Sequence, residues 1–542
     1  MKTITATTNA DSVECYDFVE ISLVPSSLPA TNPFTSVRVS ASVTCPDATT
    51  FGVDGFCDSD DGSLYRVRVM PRTAGRYTVR VSYQDGSGGA VEHDVSFGAV
   101  EAGRKGVVVR DPDYPMHFLW EGTGEHHFAN GTTCYYLLGW KDDAVIRREI
   151  DRLADYGVNR VRVLLYGRQF DNPWGTPVRN TDEFSMLFNP WHARFPDDPT
   201  NPEFELSRFN VDHWRKYERL LAHARERDVV VSVVMFIGAQ VLPVPFGELS
   251  EDEYRYYRYA VARLAAYSNI TWDIGNEHDF HRAVPFWANG LGEFVSKSDP
   301  YGHLVAAHNK FYRSGRRSWV GMQLLQIWDA GLNEHLAERR REQAETGAMV
   351  PHVIEEYGYE DLWERFPGHR SAETRRRCAW EVYMAGGYQT NGETAERGVG
   401  ERADSGGGWV SGRGDETMTM FAGFRPIVEF FTSFEWWKAE PANHAVTSYS
   451  PVSPEKISYY ARDGRQVPPT TAFCCAEPDK VYAVYLPAGG TAELHLPDGS
   501  YEVERWNART GERKSVGRVD GPNAVLGDCP DREDWAFLVR RA

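Results

Sequence analysis

Two short stretches bring carboxylates to the ends of apolar runs: "ITWDIGNEHDF" at residues 270–280 and "VIEEYG" at residues 353–358. Burying an unpaired carboxylate is costly, so Glu277 must be solvated, paired or used. Glu277 and Glu356, 79 residues apart, could reach one site from two different strands. Glycosidic bonds break between such groups: one protonated acid helps the leaving oxygen depart, and one ionised carboxylate attacks or stabilises the anomeric centre. The plainer reading is a solvated loop residue or a helix-capping anion. Glu355 and Glu356 are neighbours, and residues adjacent on a strand point to opposite faces. At most one of them is therefore expected in a shared mouth.

Other residues fall near strand ends. Arg162, in "GVNRVRVLL", is either an ion-pair partner or a cation that keeps a nearby carboxylate ionised. His308 in "AAHNKF" and Gln326 with Trp328 in "LLQIWD" could hydrogen-bond a substrate or be packed polar groups. Trp140, Trp328, Trp409 and Tyr388 could stack on sugar faces, although aromatics more often fill cores. The Gly-rich segment "RADSGGGWVSGRGDE" at 402–416 is expected to be a mobile loop lining the site. His278 and His281 with Asp279 invite a metal, but H-E-x-x-H is absent and no third ligand is indicated. Hydrolysis by paired carboxylates needs no metal and no cofactor. Likewise, "DSDDG" at 58–62 lacks the EF-hand Glu, with Val69 at the twelfth position, and reads as a solvated turn.

These groups need a frame. Residues 1–115 alternate apolar and polar residues with period two, as in "GRYTVRVSYQ", and predict an immunoglobulin-like β-sandwich. Residues 116–435 alternate amphipathic helices with near-continuous apolar strands, as in "VDHWRKYERLLAHARERD" followed by "VVVSVVMFIG". That pattern predicts a parallel sheet covered by helices. About seven or eight such strands over roughly 300 residues favour a (β/α)8 TIM barrel, whose reactive groups gather at the C-terminal strand ends. Residues 436–542 return to β-structure and predict a second β-sandwich. The fold class is α/β, a TIM barrel flanked by two sandwiches. The sandwiches are read first as caps on the barrel, since fold does not give function.

With 42% apolar residues the 542-residue chain can bury full cores, and wholesale disorder is excluded. The formal charge of −18 argues against nucleic acid, anionic lipid and polyanionic glycans as main partners, while leaving room for a local basic subsite. The first twenty residues contain no apolar leader core, and no run of about 20 apolar residues predicts a membrane span. The expected location is the cytoplasm, or outside the cell if a leader has been trimmed. Eight scattered cysteines suggest reduced packing thiols. Self-association is left open.

"WDIGNEHD" resembles the Asn-Glu motif after the fourth strand of clan A retaining glycoside hydrolases, and "VIEEYG" resembles that clan's seventh-strand Glu-Tyr-Gly. The resemblance implies that Asn276 binds a sugar 2-hydroxyl, Glu277 is the acid/base and Glu356 the nucleophile, with Glu355 a neighbour. Arg162, three residues after Asn159, matches the clan's second-strand Arg. The wider layout resembles multidomain glycosidases with an apiosidase-like barrel and a collagen-binding-type C-terminal domain. "TTCYYLLGW" departs from that pattern by lacking the acidic residue after its glycine, which leaves apiose unsupported as the sugar. "MFIGAQ" lacks a His at the third strand. The expected activity is retaining hydrolysis of an oligosaccharide or small glycoside. The alternatives are a carbohydrate-binding protein on a degenerate barrel, an apiosidase-like hydrolase with another carboxylate pair, and a metal-dependent hydrolase.

Overall fold

The computed structural model describes residues 3–86, 88–166, 182–185, 188–196, 198, 202–236, 248–278, 286–308, 317–327, 331–360, 369–391, 419–448 and 472–542. Eight parallel strands close into a barrel: β1 (Asn130–Thr133), β2 (Arg160–Leu164), β3 (Val230–Val234), β4 (Ile270–Asn276), β5 (Val305–His308), β6 (Gln323–Gln326), β7 (His352–Glu356) and β8 (Tyr388–Asn391). β1 pairs with both β2 and β8, which leaves no edge. Strands such as "VVSVV" are buried along their whole length, as a parallel sheet wrapped by helices requires.

Around the barrel lie helices α1 (Asp143–Asp155), α2 (Val211–Glu226), α3 (Glu251–Leu264), α4 (Phe286–Ser298), α5 (Leu332–Thr346), α6 (Ala372–Met384) and α7 (Phe424–Phe431). Their starts are set by side-chain caps. Asp142 accepts from Ala144 N at 2.8 Å, and Ser250 accepts from Glu253 N at 3.2 Å, each satisfying a donor that the first turn leaves open. On α2, Trp214, Tyr217, Leu221 and Ala224 are buried along the stripe read from the sequence.

Two strands depart from regular pairing. On β4, Asp273 pairs with Ala306 while Asn276 pairs with His308. On β7, Ile354 pairs with Leu325 while Glu356 pairs with Gln326. Each strand thus holds one extra residue, a bulge that reverses inward and outward alternation beyond it. As a result Asp273 and Asn276, three positions apart, both bond Arg162. Glu355 and Glu356 both turn to the barrel's inside, so the expectation that only one of them enters is corrected.

Before the barrel, a four-stranded antiparallel sheet and a five-stranded sheet, antiparallel but for the parallel edge strand Ser12–Glu14, face each other. Ile21, Leu23 and Val67 of one sheet and Val43, Val79 and Val81 of the other share one core with the barrel. After it, a six-stranded and a three-stranded sheet enclose a separate core that includes Val484, Leu494, Leu526 and Phe537. This is the α/β barrel with flanking sandwiches that the sequence pattern predicts.

The first sandwich is fixed to the barrel by buried ions. Glu218 on α2 lies 2.7 Å from Arg68 of the sandwich and 2.6 Å from Arg263 on α3. Arg263 also reaches Asp58 at 2.9 Å, and Arg66 reaches Asp58 at 2.6 Å. The "DSDDG" turn is therefore not wholly solvated: Asp58 is buried in this seam. Burial alone would raise the Glu218 carboxyl, but Arg263 and Arg68 outweigh it and hold it down at about 2. All eight cysteines are free thiols. Among the described residues no helix is long and apolar enough to cross a membrane.

Candidate active site

The site is built from strand ends. Arg160 and Arg162, alternate residues of β2, both project into the barrel, as a period of two requires. Arg160 grips Glu355 at 2.7 and 3.1 Å through two nitrogens, and also donates to Thr390 at 3.0 Å and Ser232 at 3.1 Å. Arg162 lies 3.4 Å from Glu355 and donates to Asp273 at 3.0 Å. Burial would push the Glu355 carboxyl up, but Arg160 and then Arg162 bring it down to about 2. Asp273 is held above its ordinary range, because burial outweighs Arg162. Arg162 stays charged: burial opposes the charge, and Glu355, Tyr135 and Asp273 restore it.

Above this ionic floor the outer groups are set. Arg162 donates to Asn276 Oδ1 at 2.8 Å and to Tyr135 Oη at 3.0 Å. His308 Nδ1 also contacts Asn276 Oδ1. With Oδ1 taken by two partners, Nδ2 of Asn276 points the other way, as amide geometry demands. His308 is fully buried and titrates well below its ordinary value, through burial first and Arg162 second, so the ring is neutral. Its Nδ1 lies 3.8 Å from Glu356 Oε1. Burial likewise keeps the Tyr135 phenol protonated, with Arg162 opposing in part.

Gln326, at the end of β6, ties the two glutamates together. Its Nε2 donates to Glu277 Oε1 at 3.0 Å and to Glu356 Oε2 at 2.8 Å. With both bonds from one nitrogen, these oxygens lie less than about 6 Å apart, nearer the ~5–5.5 Å of a retaining pair than the ~6.5–9.5 Å of an inverting one. Glu277 is half-buried and Glu356 buried. Glu277 has φ 51°, a left-handed conformation that costs a non-glycine residue about 1–3 kcal/mol and recurs at functional sites. Its N–H is held by His308 O at 3.1 Å. Just before it Gly275 is required by packing, since a Cβ there would meet Phe236 Cζ at 2.7 Å. After Glu356, Tyr357 donates to Gln389 at 2.8 Å, and the Arg375 guanidinium lies 3.8 Å from the Tyr357 ring centre.

Of the predicted site residues, the structure brings together Glu277, Glu356, Asn276, Arg162, His308 and Gln326. Two aromatics are corrected. Trp140 is fully buried against Phe184, with ring centres 5.0 Å apart, and has no face for a sugar. Tyr388 opens β8 and pairs with Val353, three residues below Glu356. It bonds His117 at 2.8 Å and packs on Phe118 at the closed end of the barrel. Trp328, Trp409, Asp279, His281 and the 402–416 loop lie outside the described residues. Among the described residues no group of three His, Cys, Asp or Glu could hold a metal. The sequence reading missed Tyr135, Arg160, Asp273 and the paired role of Glu355. Arg160 and Asp273 are charged residues inside apolar strands, a pattern that marks the inside of a barrel.

Residues 189–392 match the family described as "Apiosidase-like, catalytic domain", and residues 12–84 match a domain of unknown function (DUF5060). Among solved structures, one described as a putative glycoside hydrolase from Bacteroides vulgatus ATCC 8482 aligns at TM-score 0.77 and 20% identity, covering 98% of this chain and 100% of that one. A glycoside hydrolase family 5 structure from the same organism aligns at TM-score 0.59 and 15% identity, covering 81% of this chain and 93% of that one. No curated protein matches the sequence. The chain thus shares its whole architecture with the first of these structures, and residues 189–392 are similar to the apiosidase-like family.

Proposed function

We propose that the chain is a retaining glycoside hydrolase acting on an oligosaccharide or small glycoside. The observation that supports this reading is the Gln326 amide held between Glu277 and Glu356 at 3.0 and 2.8 Å, which keeps the two bonded oxygens within about 6 Å, short of the ~6.5–9.5 Å of an inverting pair. Among the described residues the other inner carboxylates, Glu355 and Asp273, are already engaged by Arg160 and Arg162, which argues against a catalytic pair drawn from them.

In the first step a carboxylate oxygen of Glu356 attacks the anomeric carbon while the Glu277 carboxyl gives its proton to the departing glycosidic oxygen. The carbon–oxygen bond to the leaving group breaks, and a glycosyl ester forms on Glu356. In the second step the Glu277 carboxylate takes a proton from water as the water oxygen bonds the anomeric carbon. The ester breaks, Glu356 regains its charge, and configuration is retained. Asn276, with Oδ1 fixed by Arg162 and His308, offers Nδ2 to the sugar 2-hydroxyl. Tyr135 and Arg162 present a phenol and a cation beside the nucleophile.

The test is a screen of aryl glycosides and plant or bacterial oligosaccharides, with the anomer of the first product followed by NMR. Hydrolysis with retention in the natural chain, and loss of hydrolysis in both Glu277→Gln and Glu356→Gln, are expected. An inverted first product, or full activity in a folded Glu356→Gln variant, would sink the reading.

A further inference from the structure

Between the first sandwich and the barrel lies a cleft of about 370 Å³, inside the ~300–1,000 Å³ range of small-molecule sites. One wall is the short helix Pro33–Ser36 and the strand that begins at Arg38. The other is the first turns of α3, carrying Glu251, Arg255 and Arg258. Helices of such a barrel run back against the strands, so these turns sit on the side of the mouth.

Three guanidiniums line one cleft of a chain whose net charge is −18. Arg255 is engaged by Asp252. The Arg38 and Arg258 guanidiniums make no hydrogen bond or ion pair among the described residues, although Asp54 and Glu251 line the same cleft; Arg258 rests on the Phe294 ring at 5.5 Å. Elsewhere in this seam arginines are paired with acids, as Arg66, Arg68, Arg215 and Arg263 are. The floor is apolar: the Phe209 and Tyr259 rings stack at 4.0 Å, with the half-buried Phe34 edge-on to both.

We infer that this cleft is a second ligand site, separate from the catalytic pair, that takes a sugar bearing an oxyanion, a carboxylate or a sulfate ester. The oxyanion bridges Arg38 of the sandwich and Arg258 of the barrel, because a guanidinium offers two parallel donors to a pair of oxygens on a carboxylate or a tetrahedral oxyanion. The sugar ring packs toward Phe34. The choice of a sugar as carrier rests on the glycosidase reading; the oxyanion rests on the arginines. A ligand held from both sides also fastens the sandwich to the barrel.

The test is calorimetric titration and thermal melting of the full chain carrying Glu356→Gln, with glucuronate, glucose 6-sulfate, glucose and acetate as probes. Glucuronate or glucose 6-sulfate is expected to bind and raise the melting temperature, the tighter of the two naming the oxyanion. Glucose and acetate are expected to bind about tenfold or more weakly, as loss of charged hydrogen bonds or of ring contact predicts. Adding Arg38→Ala and Arg258→Ala is expected to weaken the sugar acid about tenfold or more, and Thr35→Trp, which plugs the exposed side of the cleft, to do the same. Binding of neither sugar acid, equal binding of glucose or acetate, or binding that survives both variants would overturn the proposal. The arginine pair in the otherwise natural chain is expected to leave hydrolysis of a small aryl glycoside unchanged. Absent hydrolysis with cleft binding intact would instead count against the glycosidase reading alone.

Discussion

Two buried clusters of arginine and carboxylate can be set side by side, one at the seam between sandwich and barrel and one in the barrel mouth. At the seam, Glu218 is clasped by Arg68 and Arg263, and Asp58 by Arg66 and Arg263. In the mouth, Glu355 is clasped by Arg160 and Arg162 in the same manner, and the Glu218 and Glu355 carboxyls both come down to about 2. The mouth then adds what the seam lacks, a second tier in which Glu277 and Glu356 are joined by the neutral amide of Gln326. A carboxylate locked by guanidiniums is a fixed anion. One held by an amide can exchange a proton or form a bond, and the lower tier keeps it in place.

The largest expected effect tests the upper tier. Glu356→Gln is expected to cut kcat by about 10⁴-fold or more while leaving the melting temperature unchanged. A large fall in melting temperature would mean that Glu356 belongs with the fixed anions. Next come the clasped residues. Glu355→Gln and Glu218→Gln each strand buried arginines, at about 3–5 kcal/mol in urea unfolding. The clusters should separate in kinetics, with kcat falling in Glu355→Gln and kcat/KM unchanged in Glu218→Gln.

Acid should act on both clusters. A carboxyl lowered to about 2 from 4.5 contributes stability that is complete above pH 4.5 and lost as pH falls through 2. The stability gap between the natural chain and Glu218→Gln is therefore expected to close over that window, as measured by urea unfolding at stepped pH. A gap that stays constant would break the assignment. The smallest effect concerns the bridge: Gln326→Ala is expected to lower kcat about tenfold, with a moved acid limb in the pH–rate profile and little change in stability.

Much of this was legible beforehand. Apolar strands alternating with striped helices gave the barrel, and the strand ends gave Glu277 and Glu356, because composition and period follow burial directly. Tyr388 was misplaced because an aromatic residue reads alike at the mouth and at the closed end, depth along a strand leaving no mark in residue type; Trp140, beyond the end of β1, was misplaced because residue type does not tell a ring packed on Phe184 from one open to a ligand. Asp58 was misread because its neighbours Asp60 and Asp61 are ordinary turn residues, and beyond nearby Arg66 its partners Arg215 and Arg263 lie about 160 and 200 positions further on in α2 and α3. Arg160, Arg162 and Asp273 were open to discovery, since charges set within apolar strands can be satisfied only inside the barrel. Glu355 was not, because strict alternation assigns it and Glu356 to opposite faces.

The extra residues in β4 and β7 change how this machinery could be moved or lost. Deleting one residue from either strand would restore even pleating and swing the terminal glutamate out against the helices, with every letter of the proposed catalytic set still present in the sequence. A gap-free alignment of β7 would then credit the wrong glutamate. Grafting "NE" and "EYG" onto another barrel would transfer the letters without the phase, and the graft must carry both whole strands, each with its odd residue.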